Sequence, residues 1–427
     1  IYGSFALGAL ATLIAARQLG RAGYGVLAIA ILSTSFFQTL FDLTVEEALV
    51  KFGFRYLEQR HFGRLQRIFR VAIVFKLGGG LAAMVVLLAL APLAHLEWRG
   101  PIGIAIALAA PIPLLQAPEG VAASALMLRA RYDVRAFFLF VSTALRFGGL
   151  AVGSLYGIWQ AVLGMLAAQA LAILGIGWAG LVAFRRFPAV PAEPLADDRP
   201  EIRDFVVQSS IATGVVSLRS TLAPLLLGFV ASEAQVGDFR LAQSPQTTMA
   251  SLSAPFRMIL LAEQTRDWER GRQDVVFRGV RLYTLAALGL CVVGLPPLLW
   301  AIPSLLRLLK PEWLAATDPV RIMLIAAGVQ LVVGWTKSFP VTIGRPGLRI
   351  LAHGIESAVL IPLVVVLGIF WGATGAAIAV LISSLAFAGV WGVLYARIRR
   401  AHPPDRIAAE QVALDVAEMS ELEAPGL

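Results

Sequence analysis

Apolar runs of bilayer-crossing length follow one another through almost the whole chain. Hydropathy places spans at 1–20, 25–50, 68–94, 101–128, 134–156, 158–184, 204–230, 236–262, 277–300, 313–343, 347–370 and 372–396. A hydrocarbon core takes roughly 20 apolar residues per helix. Backbone polar groups within it must be satisfied inside a helix or a closed barrel. Continuous runs of this length, without strand alternation, select the helix. The expectation is an all-α polytopic membrane protein of about twelve transmembrane helices. Composition agrees, with 58% hydrophobic and 15% charged residues in 427, where soluble domains carry about 25% charged. Little chain remains for a soluble catalytic domain, so an enzyme is not expected.

The net charge of +9 would suit nucleic acid, but its placement points to orientation instead. Arg55, Arg60, Arg64, Arg67 and Arg70 follow the second run, and Arg129, Arg131 and Arg135 the fourth. Arg185 and Arg186 follow the sixth, Arg266, Arg270 and Arg272 the eighth, Arg345 and Arg349 the tenth, and Arg397, Arg399 and Arg400 the twelfth. The odd-numbered connections hold fewer bases. By the positive-inside rule both termini face the cytosol, and one missed span would invert the alternation. The run KFGFRYLEQRHFGRLQRIFR (51–70) alternates bases with aromatics. It reads as an interfacial amphipathic segment on anionic headgroups rather than a nucleic-acid strip. Cys291 is alone and His61, His95, His353 and His402 lack ligand spacing, so no disulfide, metal or cofactor is expected. The chain opens on Ile1 rather than Met, so residues are expected to precede it.

Segment 185–203 (RRFPAVPAEPLADDRPEIR) is rich in proline and charge and divides the spans six and six. The organisation expected is an N-lobe at 1–184, a cytosolic linker at 185–203, a C-lobe at 204–396 and a cytosolic tail at 397–427. The tail carries one weakly amphipathic stretch, Ile407–Leu422. A weak internal repeat aligns Gly25 with Gly237, Gly157 with Gly372, Gly177 with Gly392 and Pro188 with Pro403. Six spans per half return the chain to the same side, so the repeats would be parallel, about an axis along the membrane normal.

Three stretches carry a resemblance: AARQLGRAGYGVLAIAILSTSFFQTLFDLTVEEALVKF (15–52), VGDFRLAQSPQTTMASLSAPF (236–256) and IGRPGLRILAHGIESAVLIPLVVVLGIFWGATGAAIAVLISS (343–384). In order and spacing they resemble the oligosaccharide-lipid flippases of the MOP (multidrug/oligosaccharidyl-lipid/polysaccharide) superfamily. The chain departs from that pattern at Leu43-Thr44, at Asp238-Phe239-Arg240 and at Glu46-Glu47. The resemblance implies two six-helix bundles forming a V around a cationic cavity. It also implies movement of a polyprenyl-diphosphate-linked oligosaccharide across a bacterial cytoplasmic membrane for surface polysaccharide or lipopolysaccharide O-antigen synthesis. A polysaccharide polymerase and a chain-length regulator would be neighbours. The competing readings are a MATE-like ion-coupled exporter and a lipid II-type flippase.

Arg146, Arg219, Arg257 and Lys337 sit within the spans. A charge at such depth costs about 3 kcal/mol on insertion scales, and it faces a protein interior or a wet cavity. Guanidinium suits a diphosphate, pairing bidentately and never deprotonating. The resemblance favours Arg219 and Arg257 as the diphosphate-binding pair, since the first helices of each half line the family's cavity; Arg146 and Lys337 come second. Each cation either lines such a cavity or pairs with a buried carboxylate, and the residues alone leave both open. The acids within the spans are Asp42, Glu46, Glu119 and Glu356. Asp42 and Glu46 are four apart on one helix face, and the repeat brings them level with Arg257. The expectation is a gate that opens when diphosphate takes Arg257, with proton or sodium coupling through these acids. Glu356 is placed to meet Lys337.

Overall fold

The computed structural model describes residues 2–41, 45–98, 101–195, 198–252, 264, 267–268, 270–345 and 347–402. Within these, side chains are described except at 2–6, 95–98, 208–209, 211–213, 215–220, 248–252 and 341. The stretch Ile407–Leu422 lies outside the described residues. All regular structure among them is helical. In chain order come α1 (Tyr2–Phe41), α2 (Val45–Glu58), α3 (Phe62–Trp98), α4 (Ile102–Ala109), α5 (Ile112–Leu128), α6 (Tyr132–Ser154) and α7 (Ile158–Arg185). After the linker follow α8 (Arg199–Val230), α9 (Glu233–Leu252), α10 (Gln273–Leu309), α11 (Thr317–Val332), α12 (Phe339–Thr342) and α13 (Gly347–Ala401). Short 3₁₀ turns occupy Pro311–Ala316 and Gly334–Lys337.

Among the described residues, eight helices are long and apolar enough to cross a membrane. Two of them, α1 and α13, hold two spans each, bent at Gly20 (φ 69) and Gly372 (φ 53). A side chain in this left-handed region costs roughly 1–2 kcal/mol, which is why glycine marks the bends. With α8 and α9 added, the arrangement accommodates the twelve expected spans. Gly157, the repeat equivalent of Gly372, also takes a positive φ of 133 between α6 and α7. The fourth expected run is broken at Ala110–Pro111, where α4 ends and α5 begins. The protein is a multi-pass membrane protein.

The chain forms two compact units. The first comprises Ile1–Leu241, Leu305–Ala316 and Val364–Ala376, and the second Ala242–Ser304, Thr317–Leu363 and Ala377–Leu427. In the first, Phe52, Tyr56 and Leu65 are almost fully enclosed beside Ile68, Phe69, Leu126 and Ile176. This narrows the reading of 51–70 as a segment on headgroups to its basic face. Its aromatic face packs against α5, α7 and the linker, and only its basic face is open. Lys51 and Arg55 lie over the Phe52 ring, at 5.1 Å and 4.9 Å from its centroid. Arg60, with φ 58, turns the chain from α2 into α3.

The linker closes this cluster through its acids. Asp198 accepts from Tyr56 Oη at 2.8 Å and Arg64 Nη1 at 2.9 Å, while Glu201 receives Arg55 through both guanidinium nitrogens. The Arg55 hydrogen bond holds the Glu201 carboxyl below its usual range. Burial, then the bond to Asp198, pushes the Tyr56 hydroxyl upward. Backbone also joins backbone, Glu193 N donating to Gly63 O at 3.1 Å.

The second unit is organised on aromatic edges. Trp335 meets Tyr395 at 5.3 Å and Phe339 at 5.5 Å between centroids. Trp391 lies 5.8 Å from Trp335. Offset and edge-on contacts of this kind contribute about 0.5–1.5 kcal/mol each beyond the area they bury.

Helices α6 and α7 pack backbone to backbone at Gly149 and Gly164, where a Cβ on either would strike the other's carbonyl. Gly148, one residue away, faces open space. Gly149→Ala should therefore lower stability by about 1–3 kcal/mol through overpacking. Gly148→Ala should raise it slightly, by helix propensity. Thermal unfolding of the two variants in detergent checks the difference.

Candidate functional site

Polar groups at span depth gather in the first unit along one seam crossing α2, α3, α5, α6 and α7. Lys76 on α3 donates to Glu46 Oε1 on α2 at 2.8 Å. The lysine side chain is 4% exposed and the glutamate 45%. At about 1.5 Å per residue, Lys76 lies roughly 12 Å inside the expected start of its span. Burial in protein removes the ammonium from lipid, and the carboxylate neutralises it.

Glu46 presses on Gly120 of α5, where any side chain would collide with its carboxylate. The next residue, Glu119, centres the other half of the seam. It accepts from Ser142 Oγ on α6 and Gln169 Nε2 on α7, each at 3.3 Å. Arg146 Nη2 on α6 lies 3.9 Å from the same carboxylate, and its side chain keeps 30% exposure. Gln116 donates to Gln169 Oε1 at 3.2 Å, and Gln169 is wholly buried. One turn of α5 thus satisfies groups from its neighbours, as buried polar atoms require.

A second feature of this unit joins the start of α9 to the middle of α1. Gly25 approaches the Glu233 carbonyl, and Gly237 the Arg21 carbonyl, too closely for any side chain at either glycine. Beside them Arg21 Nε donates to Asp238 Oδ1 at 2.8 Å, with Nη2 on Oδ2. Trp313, wholly buried, donates from Nε1 to Ala16 O at 3.2 Å. In the second unit, Gln246 donates to Gln330 at 2.8 Å and Gln330 to Ser384 at 2.9 Å. Buried His353 meets Glu356 at 3.0 Å.

No family model matches the chain, and no curated protein matches it. Solved structures do. A multidrug resistance MATE family transporter of the MOP superfamily, in its inward-facing conformation, superposes with a TM-score of 0.75 at 12% identity. The match covers 96% of this chain and 95% of that one. The lipid II flippase MurJ, inward closed, gives a TM-score of 0.68 at 12% identity over 100% of this chain and 92% of its own. A MOP superfamily transporter from Pyrococcus furiosus gives 0.57 at 12% identity, covering 95% and 96%. The fold is that of the MOP-superfamily transporters.

On this MOP fold the expected site residues are distributed as follows. Arg146 and Glu119 come together, and Glu46 joins them along the seam with Lys76 as its ion-pair partner. Lys337 is exposed at the end of a 3₁₀ turn. Glu356 is 2% exposed and takes His353, its i,i+3 neighbour, as a partner. The Arg219 backbone belongs to α8, and its side chain lies outside the described residues; Asp42 and Arg257 lie outside them altogether. Three participants are absent from the sequence-derived set. Lys76 stands in an apolar run (VAIVFKLGGG) and was findable by the same depth argument as the arginines. His353 was findable by its spacing from Glu356. Gln169 gives no sequence signal, since an amide in an apolar helix has many possible partners.

The exposure difference predicts an asymmetry. Glu46→Gln removes an anionic partner of an enclosed ammonium and should cost up to about 3 kcal/mol, the lower end of the penalty for breaking a buried pair. Lys76→Met leaves a half-open carboxylate and should cost much less. The double variant should recover most of the loss. A double-mutant cycle on thermal stability measures this; equal single costs with simple additivity would remove the pair from the account.

Proposed function

We propose that this protein translocates a polyprenyl-diphosphate-linked oligosaccharide from the cytosolic to the outer leaflet of a bacterial cytoplasmic membrane. The observation that carries the reading is the exposure of charge within a span and on the partner of a buried span lysine: Arg146 keeps 30% of its side-chain surface, and Glu46, paired with Lys76, keeps 45%. Open charged groups at that depth favour water over hydrocarbon beside them. A wet path lined partly by cations is what a diphosphate needs to pass a bilayer, while the prenyl tail stays in lipid. The likeness to MOP transporters along nearly the whole chain supports the transport reading. The sequence resemblance to oligosaccharide-lipid flippases supports the choice of cargo.

In this proposal Arg219 and Arg257 hold the diphosphate, with Arg146 and Lys337 as further cations on the path. Asp42, Glu46, Glu119 and Glu356 serve gating and proton or sodium coupling. Cargo that displaces Glu119 from Arg146 would exchange one anionic partner for another, which keeps the guanidinium neutralised throughout. The same exchange is proposed for Arg257 with Asp42. A polysaccharide polymerase and a chain-length regulator would take the product at the outer face.

Depletion of the protein should leave lipid-linked oligosaccharide accumulated on the cytosolic leaflet, scored by accessibility to a membrane-impermeant glycosidase. Wild type should restore export, and Arg219→Ala and Arg257→Ala should each reduce it about tenfold or more, the loss of one charge-assisted pair. Full rescue by both variants, at equal expression, would remove the diphosphate role.

A further inference from the structure

A groove of about 250 Å³ runs between α3, α5 and α7 in the first unit. Its floor is the close contact of Gly180 with Ala122, where a Cβ on the glycine would collide with α5. Ile73 and Phe184 form walls, and Gly177 leaves its rim open. A Cβ on Gly177 would meet nothing nearer than Ile173 of its own helix, at 4.0 Å. Leu181, on the same rim, is 46% exposed. The lining is apolar but for one residue, Arg70, which is exposed.

We infer that this groove holds a chain of one anionic glycerophospholipid of the cytosolic leaflet, with the phosphate on Arg70. Charge around the mouth argues for an anionic headgroup. The three helices that line the groove share one basic end, carrying Arg67 and Arg70 on α3, Arg129 after α5, and Arg185 and Arg186 at the end of α7. Arg129 sits 5.3 Å over the Phe187 ring, which neighbours the groove-lining Phe184. Among the described residues no carboxylate pairs with Arg70, Arg129, Arg185 or Arg186, whereas Arg64 nearby is taken by Asp198. The positive-inside rule places this end at the cytosolic leaflet, where anionic lipids attract such residues. An apolar slot under an unneutralised guanidinium matches both parts of a phospholipid.

The seam of Glu46, Lys76, Glu119 and Arg146 plays no part here, so the inference stands apart from the transport proposal. Its readout is bound lipid, not export. The test uses the full chain in nanodiscs of POPC and POPG in equal amounts, with retained lipid counted by native mass spectrometry. Wild type should retain one POPG. Arg70→Gln removes the charge and Gly177→Trp fills the slot, and each should lower POPG retention about tenfold, the loss of one charge-assisted contact or of the chain's seat. Arg278→Gln, an exposed base on α10 in the second unit and outside the groove lining, should retain POPG as wild type does. Unchanged melting in POPC alone establishes that the variants fold. Equal retention of POPC, wild-type retention by both variants, or displacement of POPG by an equal amount of polyprenyl phosphate would each overturn the assignment.

Discussion

Opposite charges paired at span depth govern what else this protein can do. An ammonium or guanidinium in hydrocarbon is tolerated only when enclosed by protein, neutralised or wetted. Lys76 uses the first two means, being enclosed and held by Glu46. Arg146 uses the second in part and keeps an open face. Because Glu46 leans on Gly120 and Glu119 is its neighbour, both pairs register on one turn of α5. Helix packing in this unit and any chemistry on its polar groups therefore share the same residues.

The expected spans were the legible part. Apolar length fixes a helix in lipid whatever its neighbours, so span count follows from hydropathy. The bends at Gly20 and Gly372 fall at the edges of expected spans, and the repeat alignment of Gly157 with Gly372 matches two positive φ values. Partner choice was harder to read. Lys76, one base in an apolar run, carries the same depth cost as the arginines, but nothing in the sequence names Glu46 as its partner. The run 51–70 shows why pattern alone misleads. An amphipathic helix is the same sequence whether its apolar face meets lipid or protein. Phe52 and Tyr56 meet protein, because α5 and the linker are there to cover them.

The linker shows basic loops doing more than orienting helices. Asp198 and Glu201 lie past its proline-rich stretch and take Arg64 and Arg55, with Tyr56 completing the contact. Each exposed pair contributes little alone. Together with the Glu193 backbone bond to Gly63, they fix where α8 begins relative to α2 and α3. Among the described residues, Arg70, Arg129, Arg185 and Arg186 at the ends of α3, α5 and α7 differ from these in having no carboxylate partner, which is a chemical distinction that counting positive charges does not make.

The meeting of Gly25 with Gly237 has one more implication. Each glycine presses on the carbonyl four residues before the other, at Glu233 and Arg21, and these are the two glycines that the sequence alignment of the halves pairs. A surface in which residue i meets j while j meets i is self-complementary, the property that lets identical subunits pair around a twofold axis. Neither glycine can therefore take a side chain without the opposite backbone giving way, so both ends of the crossing are held to the same steric limit.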